Sequence, residues 1–168
     1  SSLAVAASLN KEVMRKRLTK AGLRVPRWAM VENDADLAGM PMPAIIKPCI
    51  GQASHGVAYV ETLDEARAAK AFIRDELDQD SCLYEEFLTG RQFDVEGVIR
   101  NGTAQVYLIT EECYTDDMPS FRRPSWYLHG PTLPSDLTSA ILHQTHAALA
   151  ACDFQSGAFH LELKFKDG

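Results

Sequence analysis

The sequence predicts an α+β fold, and three observations predict it. Apolar residues recur at helical spacing in some stretches, alternate at period two in others, and an Asn-Gly pair separates two of the alternating runs. The 168 residues, 46% hydrophobic and 24% charged, suffice for one compact domain or a two-lobed unit of similar size.

In chain order, residues 9–21 read as a helix with the apolar stripe Met14, Leu18 and Ala21, stopped by Gly22 and Pro26. Short strands follow at 27–31 and 43–47, with the acidic segment 32–38 as a helical turn between them. A third strand covers Val57 to Val60. Thr62 with Glu65 three residues on is the capping-box signature of a helix whose inner face is Ala66, Ala69, Ile73 and Leu77. After Asp80 the period changes to two. The runs CLYEEF, QFDVEGVIR and TAQVYLIT alternate, and Asn101-Gly102 joins the last two as a hairpin, because both central residues of a type I′ turn need positive φ.

Residues 115–134 hold four prolines and read as a long loop. Ser135 or Asp136 then caps a helix to about Cys152, facing inward with Leu137, Ile141 and Ala148. The last strand sets Phe159, Leu161, Leu163 and Phe165 on one face and His160, Glu162 and Lys164 on the other. Asp167-Gly168 suits a hairpin turn, so the returning strand is expected beyond it and the chain reads as truncated.

Composition excludes several classes. A formal charge of −6 argues against general nucleic-acid affinity, and no apolar stretch approaches the length of a membrane span. The expectation is a soluble, cytoplasmic protein. Cys49, Cys82, Cys113 and Cys152 form no C-x-x-C pair and read as buried thiols. There is no G-x-S-x-G, so a Ser/His/Asp hydrolase lacks support.

Four places could carry chemistry. In KPCIGQASHGV, Lys47 ends a strand and the small residues Gly51, Ala53, Ser54 and Gly56 let backbone N–H groups approach phosphate oxygens; an ordinary tight connection has the same composition. Lys11, on the apolar stripe of its helix, either lays its stem along the core with the ammonium in water or points into a cleft. Glu85 and Glu86 point to opposite faces of a strand, which disfavours a carboxylate pair and suits a solvated strand end. Glu162, flanked on its face by His160 and Lys164, is rigidly aimed and suits Mg²⁺, or else belongs to a solvated charge ladder. His143 and His146 fall on the outer face of their helix and read as solvated, and Arg122 and Arg123 either clamp a carboxylate or face water.

In order, NKEVMRKRLTKAGLRVP, PAIIKPCIGQASHGV, LYEEFLTGRQFDVEGVIRNG and GAFHLELKFKDG resemble successive segments of the ATP-grasp family, especially its carboxylate-amine ligases and, more distantly, biotin carboxylase. The resemblance implies a partial ATP-grasp domain over 1–168: a small lobe of about 22–87, part of a large lobe of about 88–168, and ATP between them. It implies that Lys11 and Lys47 reach ATP phosphates under the loop Gly51, Ser54, His55, Gly56 and Val57. Glu85, Glu86 and Leu88 would line the adenine pocket, Gln92 would stand at the ribose position, and Glu162 would hold Mg²⁺.

The implied chemistry is phosphorylation of a carboxylate by ATP and attack of an amine on the acyl phosphate, with small-molecule acid and amine as substrates. A homodimer is compatible with it. Three departures from the family pattern stand out: Gln92 in place of a glutamate, Asn10 in place of an aspartate before the lysine, and Ala53 in place of a glycine. The E-x-N pair that completes the metal site is expected after Gly168, so the chain alone is expected to be inactive. The alternatives are a bicarbonate-activating carboxylase-like enzyme and a non-catalytic nucleotide-binding module.

Overall fold

The computed structural model describes residues 1–114, 126–130 and 132–165. Arg122, Arg123 and the expected Asp167-Gly168 turn lie outside the described residues. The chain divides into two compact units, one made of Ala4–Phe87 with Ser2, the other of Leu88 onward with Ser1 and Leu3.

The first unit opens with two helices, α1 (Ser2–Leu9) and α2 (Lys11–Lys20). The single helix expected over 9–21 is therefore broken at Asn10. That residue is extended, at φ −119° and ψ 114°, and its side chain accepts from the N–H groups of Glu12 and Val13. Asn is among the best N-caps because its oxygen satisfies donors that the first turn leaves orphaned.

Four strands follow, β1 (Trp28–Val31), β2 (Ala44–Pro48), β3 (Ala58–Val60) and β4 (Cys82–Glu86), in the order β1-β4-β2-β3 with every neighbour antiparallel. The acidic segment between the first two forms a short 3₁₀ turn over Asp34–Leu37. Helix α3 (Leu63–Leu77) starts at the anticipated box, in which Thr62 and Glu65 exchange side-chain and backbone hydrogen bonds of 3.2 Å. Such a cap is worth about 1 kcal/mol. The helix buries Ala66 and Ile73 against Val31, Ile46, Val60 and Tyr84, which form the core of this unit.

The second unit has strands β5 (Arg91–Arg100), β6 (Thr103–Cys113) and β7 (Trp126–His129), helix α4 (Ser135–Ala151) and strand β8 (Ser156–Phe165). Its sheet runs β7-β6-β5-β8, again antiparallel. Asn101 at φ 50° and Gly102 at φ 75° make the anticipated turn. Between Glu96 and Gly97 the register slips by a bulge, where a Cβ on Gly97 would lie 2.2 Å from the Gln105 carbonyl oxygen.

Two expectations are corrected here. The long loop over 115–134 contains β7, held by pairing of Thr110 to Cys113 with His129 to Trp126, a long-range partnership that its own prolines disguise. Helix α4 begins after Pro134, with no side-chain cap, so neither Ser135 nor Asp136 caps it.

Phe93, Val95, Ile99 and Phe159 on one face of this sheet pack with Ile141 and Leu149 of α4. Each large side chain buried this way contributes roughly 1.5–3 kcal/mol. The opposite face carries Gln92, Asp94 and Glu96 of β5 with Glu112 of β6 and His160, Glu162 and Lys164 of β8. Among the described residues, no helix is long and apolar enough to cross a membrane.

Candidate functional site

Each unit contributes one constellation. In the first, β2 and β4 turn Ala44, Ile46 and Pro48 toward the core, so Lys47 points to the other face and meets Glu85, its diagonal neighbour across the ladder. The Lys47 Nζ to Glu85 Oε2 distance is 2.5 Å, and Arg15 of α2 donates through Nε to the second oxygen, Oε1, of the same carboxylate. Glu85 is only 5% exposed. This corrects the expectation of a solvated strand end, which no local pattern could have replaced, since the two cations come from far along the chain.

Burial works against ionisation of Glu85, but Arg15 and Lys47 outweigh it and hold the carboxyl below its ordinary value. For Lys47, burial lowers the pKa, Glu85 pulls it up, and Arg15 and Lys11 push it down again. One buried carboxylate is thus shared by two cations, with a third nearby.

That third cation, Lys11, donates from Nζ to the Gly51 carbonyl at 2.9 Å, and its backbone N–H donates to the Cys49 carbonyl at 2.9 Å. Its ammonium therefore lies on the loop. The loop is built from turns in which Gly51, Ala53, Ser54 and Gly56 all have positive φ, at 155°, 54°, 56° and 77°. Glycine enters that region freely and alanine does not, so Ala53 carries a cost of about 1 kcal/mol that a glycine there would avoid. His55 sets its ring edge-on to Phe72 at 6.2 Å, its amide donates to Gln52 O, and the Val57 amide donates to Ser54 O. Glu86 is occupied locally, its side chain accepting from the Arg27 amide at 3.0 Å.

In the second unit, Leu88 is half-buried before β5 and Gln92 donates its amide to Glu112, which also accepts from the Tyr114 hydroxyl. Glu162 is exposed and stands opposite Asp94 in the β5–β8 register. Asp94 went unnoticed in the sequence, where it is one polar member of an alternating run. It is 8% exposed, and its Oδ1 is buried with no hydrogen-bond partner. Burial and then the Glu112 charge push its pKa up to about 6, with His160 working the other way. Asp94, His160 and Glu162 each offer a ligand atom within 4.8 Å of the others. A carboxylate pair with an orphaned oxygen fits a hard divalent cation.

Of the residues singled out in the sequence, the structure thus gathers Lys11, Lys47, Glu85 and the Gly51–Val57 loop in the first unit, and sets Gln92 and Glu162 on the polar face of the second. Arg15 was missed, though it lies four residues beyond Lys11 and hence on the same side of α2.

Comparison with known proteins adds the following. The family model described as the ATP-grasp domain matches residues 40–168. An ATP-grasp enzyme, fsqD, of Aspergillus fumigatus is 27% identical over 136 residues, 73% of this chain and 23% of its own length. A D-alanine–D-alanine ligase of Aquifex aeolicus is 27% identical over 133 residues, 72% of this chain and 44% of its own length. The chain therefore spans less than half the length of these relatives. The crystal structure of an L-amino acid ligase from Bacillus licheniformis superimposes with a TM-score of 0.78 at 24% identity, covering 94% of this chain and 36% of the ligase, which is a likeness of fold.

Proposed function

The chain belongs to the ATP-grasp family, and from that premise we propose that it is the nucleotide-binding part of an ATP-dependent carboxylate-amine ligase that forms amide or peptide bonds through an acyl phosphate. The observation that carries the reading is the cation cluster: Arg15 and Lys47 flank the single carboxylate of Glu85, and Lys11 stands nearby with its ammonium on the carbonyl of Gly51, in a loop of small residues. In a chain of net charge −6, that local positive excess suits a polyanion.

The residues divide the work. Lys47 and Lys11 hold phosphate oxygens, Glu85 keeps Lys47 aimed, and the Gly51–Val57 loop brings backbone amides to the phosphates. Glu86 and Leu88 line the adenine side and Gln92 the ribose. Glu162 holds Mg²⁺, which when bound neutralises charge on the phosphates during transfer. The same reading takes a small carboxylate and an amine as substrates, as the D-alanine–D-alanine ligase and the L-amino acid ligase do by name. It also takes a cytoplasmic setting.

Calorimetric titration of the chain with ATP, with and without Mg²⁺, tests the assignment against a Lys47→Ala variant verified as folded. Saturable binding that weakens at least about tenfold in the variant, or about 1.4 kcal/mol, is expected. Equal binding removes Lys47 from the site, and no binding by the folded chain overturns the nucleotide reading.

A further inference from the structure

Glu162 alone is a poor metal site, because one exposed carboxylate cannot order a dication. The polar face around it supplies more. Asp94, opposite Glu162 on the neighbouring strand, is more than nine-tenths buried and leaves Oδ1 without a hydrogen-bond partner, a cost of about 1–3 kcal/mol for a buried polar atom. Like charges directly across a ladder destabilise a sheet. A buried carboxylate with one unpartnered oxygen, opposite a like charge across the ladder, is explained when a cation lies between the two residues.

His160 completes the arrangement. Its Nδ1 lies 3.3 Å from Glu96 Oε1, a contact that the neutral tautomer with the proton on Nδ1 turns into a hydrogen bond. In that tautomer Nε2 offers its lone pair to a metal, and Nε2 sits 3.9 Å from Glu162 Oε1. A carboxylate behind one ring nitrogen fixes the tautomer and raises the basicity of the other, as it does behind metal-bound histidines generally.

We infer that Asp94, His160 and Glu162 form a mixed oxygen–nitrogen site for a divalent cation, one that takes a first-row transition ion such as Mn²⁺ in preference to Mg²⁺. The inference rests on reading Glu162 as a metal carboxylate and adds two ligands to it. An imidazole donor is what shifts the preference: Mg²⁺ favours an all-oxygen shell and keeps its waters, whereas first-row transition ions accept nitrogen. The remaining charges on this face fit the same picture. Glu112 adds negative potential beside Asp94, and Lys164, whose pKa is lowered by burial and raised by Glu112, is the one cation among the described residues of β8 on that face.

The test titrates the folded chain with Mn²⁺ alone, no nucleotide present, following free Mn²⁺ by electron paramagnetic resonance and repeating the titration with Mg²⁺ as competitor. One saturable equivalent is expected, displaced by Mg²⁺ only at about tenfold or greater excess. Asp94→Asn and His160→Ala should each weaken binding by about 10- to 100-fold, and ¹⁴N modulation from a bound imidazole, seen in the pulsed spectrum of the parent chain, should vanish in His160→Ala. Absence of saturable binding, equal displacement by Mg²⁺, or binding indifferent to both variants overturns the inference. His160 is half exposed, so its variant keeps the test open even if Asp94→Asn misfolds. Loss of ATP binding with Mn²⁺ binding intact would sink the nucleotide reading alone, and the converse would sink this one alone.

Discussion

Asp94 on β5 stands directly opposite Glu162 on β8, a carboxylate buried to 8% exposure facing one open to solvent. Without a cation this pairing opposes folding, through repulsion across the ladder and through desolvation of Asp94. Asp94→Asn should therefore stabilise the metal-free chain by about 1–2 kcal/mol at neutral pH. Urea denaturation in the presence of a chelator measures it. A variant no more stable than the parent would mean that the two carboxylates do not repel each other appreciably.

Glu85 works in the opposite sense. Its two oxygens accept from Lys47 and Arg15, all three side chains being largely shielded from water. Removing the shared acceptor leaves two buried cations without their anion, so Glu85→Ala should cost about 3–5 kcal/mol. Glu85→Gln keeps an acceptor of the same shape and should cost less. Parallel urea curves for the two variants decide it, and an equal loss in both would mean that shape and hydrogen bonding, rather than charge, hold the cluster.

The same carboxylate fixes a pH dependence. The folded-state pKa of Glu85 lies below its ordinary value of 4.5, so the folded state releases this proton more readily than the unfolded chain. The resulting stabilisation is fully present above pH 4.5 and is lost as pH falls through the folded-state value. Stability measured from pH 7 down to 3 should show the parent and Glu85→Gln converging below about pH 4.5. A constant gap across that range would remove Glu85 ionisation as the cause.

What the sequence disclosed follows the range of the interactions involved. The Asn101-Gly102 turn, the Thr62–Glu65 box and the alternation of β8 are legible because each is written in neighbouring residues. The Arg15–Glu85–Lys47 group draws on three distant segments, so Glu85 read as a solvated strand end until the fold closed. Asp94 was invisible for a similar reason: its burial and its partner come from β6 and β8, not from its own run. Strand β7 lies among prolines, and apolar periodicity runs through Asn10 because capping is a matter of backbone angle that such periodicity does not report.

Gly56 joins the fold of the first unit to its proposed chemistry. Its φ is 77°, and a Cβ placed on it would lie 2.6 Å from Leu77 Cδ1 and 3.4 Å from two atoms of the Pro48 ring. The backbone angle penalises any side chain by about 1–2 kcal/mol, while Leu77, at the end of α3, can yield part of the steric term by changing rotamer. Gly56→Ala should accordingly cost about 1–3 kcal/mol in stability. Because the loop is held against Pro48, the residue after Lys47, the strain should displace the loop as well. The expected signature is a drop in ATP affinity of about tenfold under conditions where the variant remains folded. Calorimetry paired with a urea curve separates the two effects. Full ATP affinity in a destabilised variant would show that the geometry of this loop is not what holds the phosphates.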